Sequence, residues 1–285
     1  MHAVSATARW TAAARAKESR RDDAIFTDHL AEELAGEEGA TLFARYDNPG
    51  VGEFIAIRTR YLDDVISVRS GCAPAPRPSS RTGGADRLGQ VVLLAAGLDT
   101  RSVRLTWPPE TVLYEIDQAD LLEEKDKRLA ELGAQHRCAR RAVGTDLTGA
   151  WPQALREAGW DPAAPTLWVV EGLLFYMPES DARGLVERVA EITAPGSVLA
   201  GDLLSHQSMI SEFSREGLRR LTEDGCPWLF GTDEPEEFLS GCGWRVTELK
   251  TPGEEGASYG RWPWDPPLPR DVMGFPRNFL FIADH

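Results

Sequence analysis

Four positions in this chain combine a chemically useful residue with a place at the end of an apolar run. Gly97 follows QVVLLAA (90–96), Asp117 follows TVLYEI (111–116), Asp146 stands in Gly144-Thr145-Asp146-Leu147, and Glu171 directly follows TLWVV (166–170). A glycine lets backbone approach a ligand closely. A carboxylate at Asp117 can accept hydrogen bonds from both hydroxyls of a ribose, and it lies about 20 residues beyond the glycine, the length of one strand–helix–strand step. Asp146 can accept from the amino group of an adenine, with the Leu147 N–H within reach of a ring nitrogen. Glu171 leaves a buried strand, where an unpaired charge would cost several kcal/mol. It therefore asks for a ligand ammonium or a buried arginine.

Each position also has a plain structural reading. Gly97 can be an ordinary turn glycine. Asp117 can cap the helix that its successors predict, since Asp is a good N-cap. Asp146 can be a turn former. One glycine and three carboxylates on four successive strand ends are more specific than any one of them. Beyond the fifth apolar run, Asp202 and His206 are the residues able to act as acid and base toward a hydroxyl; a surface or capping role is the ordinary one for such a histidine.

The elements that must position these residues are legible in the pattern. Short apolar runs predict strands over 90–96, 111–116, 140–143, 166–170, 197–204, 244–249 and 279–283. Helical composition and spacing predict helices over 7–21, 28–37, 52–68, 121–132 and 180–193. Strands alternating with helices imply a mostly parallel sheet covered on both faces, an α/β fold. In such a sheet ligands bind at the carboxyl ends of the strands. The Pro/Gly/Ser-rich stretch 71–87 reads as an exposed, mobile loop.

Composition narrows the function. The 285 residues are 42% hydrophobic, enough for a packed core. The 45 acidic residues outnumber 31 basic ones, for a formal charge of −14, which argues against a nucleic-acid surface. Four separated cysteines (Cys72, Cys138, Cys226, Cys242) form no C-x-x-C pair, so no metal site is expected. With no apolar run near 20 residues and no signal-like start, the expectation is a cytoplasmic protein with no membrane partner. There is no G-x-S-x-G, H-E-x-x-H or P-loop motif.

The segments RWTAAARAKESRRDDAIFTDHLAEEL, IAIRTRYLDDVI, VVLLAAGLDTRSVRL, LYEIDQADLLEEK, TDLTGAW and TLWVVEGLLFYM resemble the leucine carboxyl methyltransferase family, especially its actinobacterial branch of S-adenosylmethionine-dependent methyltransferases. The resemblance implies a Rossmann-like class I methyltransferase fold: a seven-stranded, mostly parallel sheet whose last strand inserts antiparallel, under an N-terminal helical cap. It implies S-adenosylmethionine as cofactor. Gly97 corresponds to the close-approach glycine, Asp117 to the ribose acid, Asp146 and Leu147 to the adenine pair, and Glu171 to the acid near the methionine moiety. Lys17 and Arg58, otherwise readable as solvated helix residues, correspond to basic residues that pair with the cofactor's carboxylate. The family often carries Gly-x-Gly after the first strand; here Ala95 holds the first place, and its methyl group is expected to crowd the loop.

The expected organisation is a helical lid over 1–70, a mobile loop over 71–89, and a core over 90–285 with a substrate-cap insertion around 205–240. The expected reaction is O-methylation of a carboxylate on a small metabolite or peptide, which needs no general base. The alternatives are methylation of a hydroxyl through Asp202 and His206, a nicotinamide-dependent oxidoreductase, and a non-catalytic cofactor-binding protein.

Overall fold

The computed structural model describes residues 3–46, 49–72, 87–264 and 267–285, with side chains from residue 6 onward. Three helices come first: α1 (Ala3–Ser19), α2 (Ala31–Tyr46) and α3 (Val51–Ser70). The alternating core follows as β1 (Gln90–Leu94), α4 (Arg101–Arg104), β2 (Val112–Asp117), α5 (Ala119–Glu131), β3 (Ala139–Gly144), α6 (Trp151–Glu157), β4 (Thr166–Val170), α7 (Glu179–Ile192) and β5 (Val198–Leu204). Then come α8 (His206–Ile210), α9 (Glu212–Glu223), α10 (Pro235–Gly241), β6 (Arg245–Lys250) and β7 (Asn278–Asp284).

The strands form one sheet in the order β3-β2-β1-β4-β5-β7-β6. The first five are parallel; β7 runs antiparallel between β5 and β6. The expected seven-stranded architecture is present. Side chains alternate across a strand, and the two core layers follow that alternation. Val92, Leu94, Trp168 and Val170 pack on one face; Val91, Leu93, Leu167 and Val169 pack on the other, against Ile57, Leu62 and Ile66 of α3. A third cluster joins Trp10 and Ala12–Ala14 of α1 to Leu34, Leu121, Leu129 and Leu221. The first helices are thus continuous with α5 and α9.

Local chemistry explains the boundaries. At the start of α3 the Glu53 side chain accepts the Gly50 N–H at 3.0 Å, and at its end Gly71 adopts φ 83°. β1 stops at Leu94, two residues before the expected Ala96, because Ala95 turns to φ 57°. α2 continues past the expected Glu37 to Tyr46, across a break at Gly36 (φ 61°, ψ −173°). The short helices α8, α9 and α10 occupy most of the stretch expected as an insertion, but α10 buries Phe238 and Leu239 in the main core rather than standing over the strand ends. Of the loop expected over 71–89, residues 73–86 lie outside the described residues. All four cysteines are free thiols. Among the described residues no helix is long and apolar enough to cross a membrane, and no acidic, histidine or cysteine cluster could hold a metal ion.

Candidate functional site

A cavity of about 1280 Å³ opens at the carboxyl ends of the parallel strands. This exceeds the range of roughly 300–1,000 Å³ usual for one small ligand, so it has room for a cofactor and an acceptor together. Gly97, Asp117, Asp146, Leu147, Glu171 and Arg58 all line it. Six of the residues singled out from sequence therefore meet in one place.

Asp117 ends β2 and is 5% exposed. Its carboxylate accepts the Gly97 N–H at 2.6 Å and the Gln118 N–H at 2.7 Å. These bonds are not those of a helix cap, which would go to N–H groups two or three residues into α5. Burial pushes this carboxyl up, against the two N–H groups that pull it down. Asp146 is exposed and accepts both the N–H (2.8 Å) and hydroxyl (2.7 Å) of Thr148, which hold its carboxyl low. The turn-forming role is real, and it sets Asp146 at the cavity edge.

Glu171 receives the buried arginine its position demanded, twice over. Arg58 of α3 donates to it at 3.1 Å and Arg101 of α4 at 2.8 Å. Arg58 also donates to Asp202 at 2.9 Å, and Arg101 to Asp63 at 2.8 Å and Asp99 at 2.6 Å. Arg104 completes the network through Asp63. Three guanidinium groups thus face four carboxylates, an excess of one negative charge next to the cavity. Burial raises the Glu171 carboxyl, but Arg101 and Arg58 outweigh it and hold it below the usual range. At Asp202 burial wins over Arg58, and the carboxyl is raised.

The structure does not bring Lys17 or His206 to this cavity. Lys17 is exposed on α1, with its ammonium 5.0 Å from the centre of the Phe43 ring. Arg15, about 200° away around the helix axis, is the α1 cation that lines the cavity; it donates to Asp28 at 3.0 Å and to the Leu98 carbonyl at 2.6 Å. His206 opens α8 on the exposed surface. Asp202 is fully buried within β5, its oxygens taken by Arg58 and by the Gly172 N–H at 2.7 Å. Neither expected acid/base residue lines the cavity.

The loop Ala95–Gly97 carries two left-handed residues, at φ 57° and 51°. A Cβ at Gly97 would lie 3.2 Å from that of Ala8, tighter than ordinary contact. Three buried polar atoms on cavity-lining side chains, Trp10 Nε1, Thr59 Oγ1 and Trp228 Nε1, have no hydrogen-bond partner within the protein, which is unusual for buried groups unless a ligand completes them. A polar ligand bearing positive charge suits these donors, this backbone loop and the surplus carboxylate.

Residues 8–190 match the leucine carboxyl methyltransferase family. The chain belongs to that family. Among its relatives, a candidate S-adenosyl-L-methionine-dependent methyltransferase of Mycolicibacterium smegmatis is 36% identical over 264 residues, spanning 86% of this chain and 84% of its own. Another from Mycolicibacterium paratuberculosis is 38% identical over 270 residues, spanning 86% and 82%. The fold is shared with a crystal structure of a candidate methyltransferase from Thermobifida fusca (TM-score 0.62, 17% identity, 97% and 93% coverage) and with a Streptomyces avermitilis protein (TM-score 0.60, 15% identity, 96% of each chain). This leucine carboxyl methyltransferase family member is an S-adenosylmethionine-dependent methyltransferase; the oxidoreductase and non-catalytic alternatives fall away. The residues sequence reasoning missed are Arg15, Asp99 and Arg101. Arg101 was signalled by Glu171, whose burial required a cation; Arg15 carried no signal beyond lying on an alanine-rich helix.

Proposed function

We propose that this protein transfers a methyl group from S-adenosylmethionine to a carboxylate oxygen of a small acceptor. Asp117 would hold the ribose, Asp146 and Leu147 the adenine, and Glu171 with its arginines the methionine end. When bound, the cofactor supplies an activated methyl group, and displacement needs only an aligned nucleophile and exclusion of water.

The observation that carries the carboxylate over the hydroxyl is the chemistry of the remaining wall. From Leu204 to Asn278 the described cavity-lining residues include one charged side chain, Arg277. Its guanidinium is held by the carbonyls of Leu268 (2.9 Å), Pro269 (2.6 Å) and Val272 (2.7 Å), with no carboxylate partner among the described residues. The Tyr176 hydroxyl, also on the wall, is driven well above its ordinary value by burial and stays protonated at neutral pH. A hydroxyl acceptor would need a positioned base, whereas a carboxylate is already ionised and would compensate Arg277.

The test is methyl-labelled cofactor with a panel of carboxylic acids and their alcohol counterparts. Labelled products cleaved by mild alkali, with His206→Ala turnover unchanged, are expected. Alkali-stable products, or a hundredfold loss in His206→Ala without weaker cofactor binding, would replace this reading with base-assisted hydroxyl methylation.

A further inference from the structure

The cavity divides by chemistry. Its charged side chains other than Arg277 all come from residues before β5, the part assigned above to the cofactor. The opposite wall is mostly apolar and carries two groups of rings. After β4, Phe175 packs edge-on against Trp228 (5.3 Å between ring centres) and tilted against Tyr176 (4.8 Å). In the β6–β7 connection, Trp262 and Trp264 form a second perpendicular pair at 4.8 Å, with Trp264 seated over Gly50 at the start of α3.

The rim continues this character outward. Eight large hydrophobic side chains are exposed among the described residues, and five of them line this one cavity: Phe213, Leu229, Trp264, Leu268 and Phe275. Phe213, at 85% exposure on α9, has almost no protein contact to account for it. Apolar side chains gathered round an opening, instead of scattered singly, mark a ligand groove or a partner site.

From this we infer that the acceptor is a monocarboxylic acid with a flat, ring-bearing apolar body that lies between these aromatic groups and reaches the Phe213 rim. The inference rests on the methyl transfer proposed above. Ring-to-ring contact stabilises beyond the area it buries, which an acyl chain would not gain. A peptide acceptor fits less well, since each buried amide needs hydrogen-bond partners and the wall is mostly apolar, with few polar side chains such as Ser214, Thr251 and Asn278. One carboxylate matches the single guanidinium of Arg277; further negative charge on the acceptor would meet a chain of formal charge −14.

The probe is 1-pyrenebutyric acid, titrated by its fluorescence into protein saturated with S-adenosylhomocysteine, whose own binding is measured first by calorimetry. Butyric acid, decanoic acid and a leucine-terminated tripeptide serve as competitors. The expected result is pyrenebutyrate binding at least thirtyfold tighter than any of the three. Phe213→Ser and Leu229→Ser should each weaken it about fivefold or more, leaving S-adenosylhomocysteine affinity within twofold. Equal or tighter binding of decanoate or the tripeptide would overturn the inference. So would sedimentation showing a dimer that Phe213→Ser dissociates with no change in acid binding, because the rim would then belong to a second copy. Rim-dependent pyrenebutyrate binding without any S-adenosylhomocysteine binding would uphold the acceptor class and sink the methyl-transfer reading instead.

Discussion

The Asp117 carboxylate and the Gly97 N–H are joined at 2.6 Å across two neighbouring strand ends. The bond ties the loop after β1 to the tip of β2 and leaves a buried, partly satisfied carboxylate facing the cavity. Asp117→Asn keeps the shape and removes the charge. It should weaken S-adenosylhomocysteine binding by about 1–3 kcal/mol, the scale of charge-assisted hydrogen bonds. Calorimetry showing native affinity together with a lowered melting temperature would confine Asp117 to tying the loops.

Arg15 and Lys17 make a contrasting pair on α1. Arg15→Ala removes the donor that grips the Leu98 carbonyl beside the Ala95–Gly97 loop and should reduce cofactor affinity tenfold or more. Lys17→Ala should change it less than threefold, because that ammonium lies over Phe43. The reverse order of effects would restore Lys17 to the cofactor.

Ala95 offers an unusual stability test. A non-glycine residue at φ 57° pays about 1–2 kcal/mol for its Cβ, while glycine in its place adds roughly 0.4–1 kcal/mol of unfolded-state entropy. Ala95→Gly should therefore be neutral to stabilising, by up to about 1 kcal/mol, or roughly 2–4 °C in melting temperature. A clear loss of stability would mean the methyl group makes packing contacts that outweigh the backbone cost.

Asp99 gives the acid limb of stability. Burial raises its carboxyl, but Arg101, Lys125, Arg104 and Arg15 prevail and bring it from 3.8 to about 2. Because the folded value is the lower one, its contribution is fully present above pH 3.8 and fades as pH falls toward 2, amounting to roughly 2 kcal/mol. Asp99→Asn should flatten the dependence of unfolding free energy on pH between 4 and 2. An unchanged slope would show that other carboxylates carry the acid transition.

Arg101 is 2% exposed and bonded to Asp63, Asp99 and Glu171. Removing one member of a buried charge network strands its partners, at about 3–5 kcal/mol. Arg101→Ala should melt far below the native protein. Arg101→Lys should recover only part of the loss, since an ammonium cannot fork to three acids in one plane. A fully stable Arg101→Ala would mean the network contributes nothing to folding.

The strands and the cavity-lining carboxylates at their ends were legible because both leave local marks. Continuous apolar runs rich in β-branched residues, buried on both faces of the sheet, locate a strand within a residue or two, and an acid directly after such a run is conspicuous. Long-range partners leave no such mark. Nothing near Arg15 in sequence says that it faces Leu98, 83 residues away, and Lys17 is as plausible by composition. His206 was misplaced for a related reason. Its distance from β5 says that it follows a strand end, but the direction of its side chain depends on how α8 sets off, which packing decides. Helix α8 went unseen because its five residues, HQSMI, are too few to show a helical period, and α9 because its twelve are mostly charged or polar, with only Phe213, Leu218 and Leu221 as large apolar residues.

The placement of β7 has a kinetic meaning. β6 precedes it in the chain, yet among the described residues β6 pairs with no strand except β7. That edge strand has nowhere to dock until the segment 251–277, which carries Trp262, Trp264, Leu268 and Phe275, has looped back and delivered β7 beside β5. Loop closure precedes the reward of non-local pairing. The amides of β6 are therefore expected to gain protection from exchange only together with those of β7, so that closure of the 251–277 connection and completion of the sheet become one kinetic event.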